Sequence, residues 1–143
     1  MIDPIVPLAF AIYSNPGVYA CLLGSGVSRA AEIPTGWEVV LDLTSKLAHL
    51  KGEEPDPDPA SWYQEKLGEE PDYSQLLDAL AHSQAERSKL LRGYFEPDDE
   101  ERERGVKLPT EAHKAMAQLV SNGSIRVIVT TNFDRLLEQA LEE

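Results

Sequence analysis

Two short segments carry residue types that can do chemistry. Leu23-Gly24-Ser25-Gly26-Val27-Ser28 follows the apolar run Val18 to Leu23. Val129-Thr130-Thr131-Asn132-Phe133-Asp134 follows the β-branched run Ile125-Arg126-Val127-Ile128-Val129. Each run reads as a strand and each is followed by a helical pattern. Both segments are therefore expected at strand tips, where open α/β sheets bind ligands. Gly24 and Gly26 lack a Cβ, so the backbone there can turn tightly and a ligand can come close. The N–H groups at the start of the next helix can cradle a phosphate. An Asn and an Asp two residues apart can hold a ribose or a nicotinamide. Each segment also has a plain alternative, a tight strand-to-helix turn for the glycines and helix capping for Asn132 and Asp134. Two common nucleotide motifs are absent. No Gly-Lys-Ser/Thr follows the loop, and Arg29 stands where the dehydrogenase fingerprint has a third Gly or Ala. Asp42 is near the distance of that fingerprint's acidic residue but lies in a helical pattern.

The elements around these segments follow from hydrophobic periodicity. Ile2 to Ser14 reads as an apolar helix, stopped by the turn Asn15-Pro16-Gly17. Val18 to Leu23 is a short continuous apolar run, expected to be a strand buried on both faces. Ser28 to Glu32 fits a short helix, and Pro34 and Gly36 then interrupt the backbone. Val40, Leu43, Leu47 and Leu50 form one face of a helix over Trp37 to Leu50. Lys51 to Pro59, with three alternating prolines, is an exposed extended loop. Asp72-Tyr73-Ser74-Gln75 starts a helix with a capping box, and Tyr73, Leu76, Leu77 and Leu80 give its apolar side. Leu90, Leu91, Tyr94 and Phe95 mark another face. Glu96 to Arg104 reads as a charged loop on the solvated surface. Pro109 opens a helix near its first turn, with Ala112, Ala115, Met116 and Leu119 as its stripe and Asn122-Gly123 as its end. A last helix starts at about Phe133, with Leu136, Leu137, Ala140 and Leu141 on the same face.

The expected fold class is α/β: a partial Rossmann-like domain with few parallel strands and a large helical module at about residues 51 to 108, mostly helical by content. Two strands make a poor core by themselves. The last helix ends on Glu142-Glu143 with no glycine cap, placing negative charge at the negative end of its dipole. The whole of 1–143 is accordingly expected to be the N-terminal portion of one domain, incomplete at its C-terminus. A further domain of the same protein, or self-association, would then complete the sheet.

The chain has 143 residues, 42% of them hydrophobic, which suits one folded domain. Its net charge of −12 disfavours nucleic-acid binding, which needs a positive footprint. An anionic ligand would have to be held by backbone N–H donors against that field. No apolar run approaches the roughly 20 residues of a membrane span, and the opening residues lack a basic start and a cleavage site. A cytoplasmic protein is expected. Cys21 is the single cysteine, so no intrachain disulfide forms and no cysteine zinc site exists. It is expected as a buried core thiol. His49 and His82 read as surface positions, His113 as a structural hydrogen-bonding residue, and no histidine pair has metal-ligand spacing.

With their flanks, the segments read Gly24-Ser25-Gly26-Val27-Ser28, then Glu32-Ile33-Pro34-Thr35-Gly36-Trp37, then Pro109-Thr110-Glu111-Ala112-His113, then Val127 to Asp134. This order resembles the sirtuin (silent information regulator) superfamily. The Thr-Thr-Asn-Phe-Asp form is more similar to bacterial sirtuin-like domains of anti-phage defence proteins, which hydrolyse NAD+, than to protein deacylases. The resemblance implies a Rossmann-like sheet with a helical module and NAD as cofactor. It implies that Gly24, Ser25, Gly26 and Ser28 line the phosphates and proximal ribose, and that Val27, Pro34 and Thr131 complete the binding set. Asn132 would orient the ribose or a water and carry the catalysis, and Asp134 would contact the nicotinamide carboxamide. A carboxylate or amide dipole there would stabilise positive charge developing on the sugar. Two departures stand out. Thr35-Gly36-Trp37 replaces the Asp-Phe-Arg of the deacylases, with Trp37 expected to stack on a ring or to serve as a core or lid residue. The family's catalytic His, and the zinc module of the deacylases, would lie beyond Glu143. The expectation is therefore an NAD+ hydrolase in the intact protein, with residues 1–143 alone binding NAD+ weakly and turning it over poorly. Three alternatives remain open: an NAD-dependent deacylase, a non-catalytic NAD or ADP-ribose sensor, and a helical interaction module with no nucleotide.

Overall fold

The computed structural model describes residues 3–143. The chain is mostly helical, with eight α-helices, one 3-10 helix and a two-stranded parallel sheet among the described residues. It forms two compact units, one from residues 3–33 and 99–143 and the other from residues 34–98.

The first unit contains α1 (Ile5–Ser14), β1 (Tyr19–Leu23), a 3-10 helix (Ser25–Ala31), α6 (Asp99–Glu103), α7 (Glu111–Ser121), β2 (Ile125–Thr130) and α8 (Leu136–Glu142). β1 pairs with β2 in parallel, with Cys21 opposite Ile128 and Leu23 opposite Thr130. α7 leads into β2 through Asn122 and Gly123, and Gly123 takes the left-handed φ of 76° that ends helices. α7 packs against β2 and α8. Cys21 Sγ lies 3.8 Å from Met116 Sδ of α7, which marks the covered side of the sheet.

The other side is open. Leu22 is 76% exposed, Val127 54% and Val129 53%, so the strands are not buried on both faces as their sequence suggested. A continuous apolar strand is buried twice only when helices cover both faces, and among the described residues only one side has a helix against it. Cys21 is accordingly half-buried rather than fully enclosed. α1 has no buried residue at all, with Phe10 71% and Tyr13 84% exposed.

Several local expectations shift by a few residues for identifiable reasons. Pro109 precedes the N-cap Thr110 instead of opening α7. α8 starts at Leu136 and not near Phe133, because the Asp134 carboxylate takes the Leu136 N–H at 3.1 Å. The charged stretch Glu96 to Arg104 holds a short helix and is not all solvated surface: Glu101 forms a 2.7 Å ion pair with Lys107, which is buried. In α7 the buried side chain is His113, whereas Ala112 and Ala115 of the expected stripe are exposed.

The second unit is helical: α2 (Gly36–Leu50), α3 (Pro59–Leu67), α4 (Tyr73–Leu80) and α5 (Gln84–Phe95). Its helix starts are set by side chains. Thr35 and Glu38 form a reciprocal capping box on α2, and Ser83 and Glu86 another on α5. Asp58 caps α3, and Asp72 caps α4 by accepting from Ser74 and Gln75 N–H without the full box. α2 packs on α3 and α4, and the core gathers Val39, Val40, Leu43, Trp62, Leu76 and Leu77. Leu90, Leu91, Tyr94 and Phe95 pack around it, as their spacing indicates. Leu50, expected on the inner face of α2, is 74% exposed, since the buried arc is centred on Val39, Leu43 and Ala48. Trp37 is 53% exposed and is no core residue. Among the described residues no helix is long and apolar enough to cross a membrane.

Leu43 has no solvent exposure at the centre of this core. Leu43→Ala leaves a cavity that neighbouring helices fill only in part, with an expected cost of about 2–5 kcal/mol in urea unfolding of the chain.

Candidate functional site

Parallel pairing places the carboxyl ends of β1 and β2 side by side. The ladder continues one step past the strands, where Thr131 N–H donates to Leu23 O at 3.1 Å. The loop after each strand therefore begins at the same rim. Beyond it, Asn132 Nδ2 lies 3.2 Å from Ser28 Oγ, a hydrogen bond between residues 104 apart in sequence. The two segments singled out from sequence meet directly.

Ser28 has no solvent exposure, and its Oγ also lies 3.2 Å from His113 Nε2. The imidazole is held from its other side. Thr110 N–H donates to His113 Nδ1 at 3.1 Å, and Thr110 Oγ1 lies 2.8 Å from the same nitrogen. A backbone N–H can only donate, so Nδ1 carries the lone pair and the proton of the neutral ring sits on Nε2. His113 is thus a hydrogen-bond donor to Ser28. It cannot take a proton from Ser28, which excludes a Ser–His nucleophilic pair in this arrangement. Burial pushes the His113 pKa below its ordinary value, and the negative charge of Asp134 opposes that shift.

The remaining expected residues are distributed as follows. Gly24 takes an extended conformation at φ −113° and ψ −179°, and neither Gly24 nor Gly26 is in the left-handed region. A Cβ built on either would meet no atom within 4 Å. Neither a strained turn nor internal packing demands glycine here, and the space over both residues is open to a ligand. The helix that follows is of the 3-10 type, starts at Ser25 rather than Ser28, and Val27 N–H already bonds Gly24 O at 3.2 Å. Gly26 and Val27 line a cleft of about 600 Å³ with Ala30, Gly105, Thr110 and Ala112. Asp134 is 7% exposed, and from the position before the N-cap Arg135 one of its oxygens accepts the first N–H of α8. Pro34 belongs to the helical unit.

Asn132 Oδ1 is buried and has no hydrogen-bond partner among the described residues. A buried amide atom left without a partner fits a polar group of a ligand such as a dinucleotide. The part played by His113 in holding Ser28 was not legible from spacing, because 85 residues separate the two. The nearest signal was Thr110-Glu111-Ala112-His113, in which the N3 side chain reaches back to the N-cap backbone. Among the described residues no group of three or more His, Cys, Asp or Glu stands close enough to hold a metal ion. The chain matches no protein-family model and no curated protein sequence.

Because the folded state disfavours protonated His113, the unfolded chain binds more protons below the ordinary histidine pKa of 6.5. Stability contributed by neutral His113 is complete above that pH and is lost as pH falls towards the lowered folded value. Thermal melts from pH 7.5 to pH 5.5 are expected to show a fall in Tm that is smaller in His113→Gln.

Proposed function

We propose that the chain is a sirtuin-like, partly Rossmann-like NAD+-binding domain, and that the intact protein hydrolyses NAD+ to nicotinamide and ADP-ribose. The observation that supports this reading best is the Ser28–Asn132 hydrogen bond, which joins the glycine loop to the Asn-Phe-Asp segment at the sheet rim. In this reading the backbone of Gly24, Ser25, Gly26 and Val27 lies against the pyrophosphate. Backbone contact suits a chain of net charge −12, since N–H dipoles attract an anion without a cationic patch. Asn132 faces the ribose next to the nicotinamide and orients either the sugar or the attacking water. Thr131, exposed at the rim, borders the same ligand. Asp134 is left with the carboxylate oxygen not bonded to Leu136 for the carboxamide. Water adds to the anomeric carbon, the glycosidic C–N bond breaks with its electron pair going to nicotinamide, and the water proton passes to solvent. A role in bacterial phage defence rests on the family resemblance alone.

A second reading is a nucleotide sensor without turnover. His113 favours it: the histidine nearest the site gives its lone pair to Thr110 and has no basic nitrogen left for a water.

Calorimetric titration with NAD+ is expected to show saturable binding to the chain, weakened at least tenfold in Asn132→Ala. No heat of binding to the wild type would overturn both readings. Nicotinamide release by the intact protein without any peptide supports hydrolysis. Release only with an acylated peptide reassigns the protein to the deacylases, and binding without release to the sensor reading.

A further inference from the structure

We infer that His113, acting through Ser28, decides which end of the Asn132 amide is offered to a ligand, and that this end is the NH2 group. The site would then select an acceptor oxygen. The inference begins at a group whose polarity cannot change. Thr110 N–H is a donor, so His113 Nδ1 accepts and His113 Nε2–H donates to Ser28 Oγ. Ser28 is fully buried and now holds one incoming hydrogen bond. Its own proton needs an acceptor, and among the described residues its one other side-chain hydrogen-bond partner is the Asn132 amide at 3.2 Å.

Two orientations of that amide share one outline. With Nδ2 towards Ser28, the serine receives two N–H groups, its O–H has no acceptor, and Asn132 Oδ1 is buried without a partner. With the amide turned over, Ser28 O–H donates to Oδ1 and Nδ2 takes the unpartnered position. The first arrangement leaves two polar groups unmet, and the second leaves one. Buried polar groups are costly to leave unpaired, so the second is preferred. Polarity then runs in one direction from Thr110 through His113 and Ser28 to Asn132, which ends in two unpartnered N–H donors. A ribose hydroxyl oxygen, a carboxamide oxygen or a phosphate oxygen meets that requirement. A ligand group able only to donate does not. His113 is a positioning residue in this scheme.

The choice of NAD+ as probe rests on the proposed function, so one measurement is made without ligand. Nitrogen-15 NMR of the chain at pH 7 is expected to show His113 neutral with the proton on Nε2. A proton on Nδ1, or a charged ring, would overturn the relay whether or not NAD+ binds. With ligand, Asn132→Asp retains an oxygen for Ser28 and replaces the donors by an acceptor. Titrated in 0.5 M salt to screen the added charge, it is expected to lose at least tenfold in NAD+ affinity, and equal or tighter binding would overturn the donor assignment. His113→Gln, whose amide can donate to Ser28, is expected to bind within threefold of wild type, while His113→Leu loses at least tenfold. Equal losses in the two variants would reduce His113 to packing. ADP-ribose separates the acceptors: a matching loss in Asn132→Asp places the donors on ribose or phosphate, and a loss for NAD+ alone on the carboxamide. If wild type binds neither probe while the Nε2 tautomer is found, the nucleotide reading fails and the relay stands.

Discussion

The pairing of Leu23 with Thr130 is the contact on which the candidate site depends. A parallel ladder aligns strand ends of the same polarity, so whatever follows β1 and whatever follows β2 must emerge together. An antiparallel pairing of these strands would send the glycine loop and the Asn-Phe-Asp segment to opposite ends of the sheet. The connection between the strands contains the whole helical unit, and the pairing holds despite it. Loop-closure entropy grows only slowly with loop length, which makes an insertion of that size tolerable.

Around this rim the chain uses backbone groups and neutral side chains where an acidic protein has few cations to offer. Ser28, Thr110, Asn132 and neutral His113 form a hydrogen-bonded cluster whose members are drawn from both strand-end loops and from the start of α7. A cationic histidine there would meet the Thr110 N–H with a second N–H. Neutrality is therefore imposed by the local backbone as well as by burial. The one buried lysine among the described residues, Lys107, is met by the Glu101 carboxylate at 2.7 Å.

The open side of the sheet and the apolar surface of α1 are the other prominent property of this unit. From Pro4 to Ser28 the chain has no charged residue, in a protein where 27% of residues are charged. The side chains of Leu22, Val127, Val129, Phe10 and Tyr13 remain largely in contact with solvent. Leu22 and Val129 are register partners in the sheet, and apolar surface gathered on one face is commonly an interaction site.

Much of the secondary structure was readable in advance because it depends on short-range rules. Asp72 caps its helix, Gly123 terminates another in the left-handed region, an apolar run forms β1 and a β-branched run forms β2. These are interactions over two to four residues, and residue type nearly determines them. The two site segments were legible for the same reason: their glycines, Asn and Asp follow strand-forming runs. What the tertiary structure alone decided was which side chains share space. Burial of His113 in place of the apolar stripe, the exposure of Leu22 and Val129, and the hold of Ser28 by His113 and Asn132 all depend on contacts across 85 to 104 residues or on which face lacks a cover. Periodicity reports that a face is apolar, whereas burial requires a partner element, and the identity of that partner is a property of the packed chain.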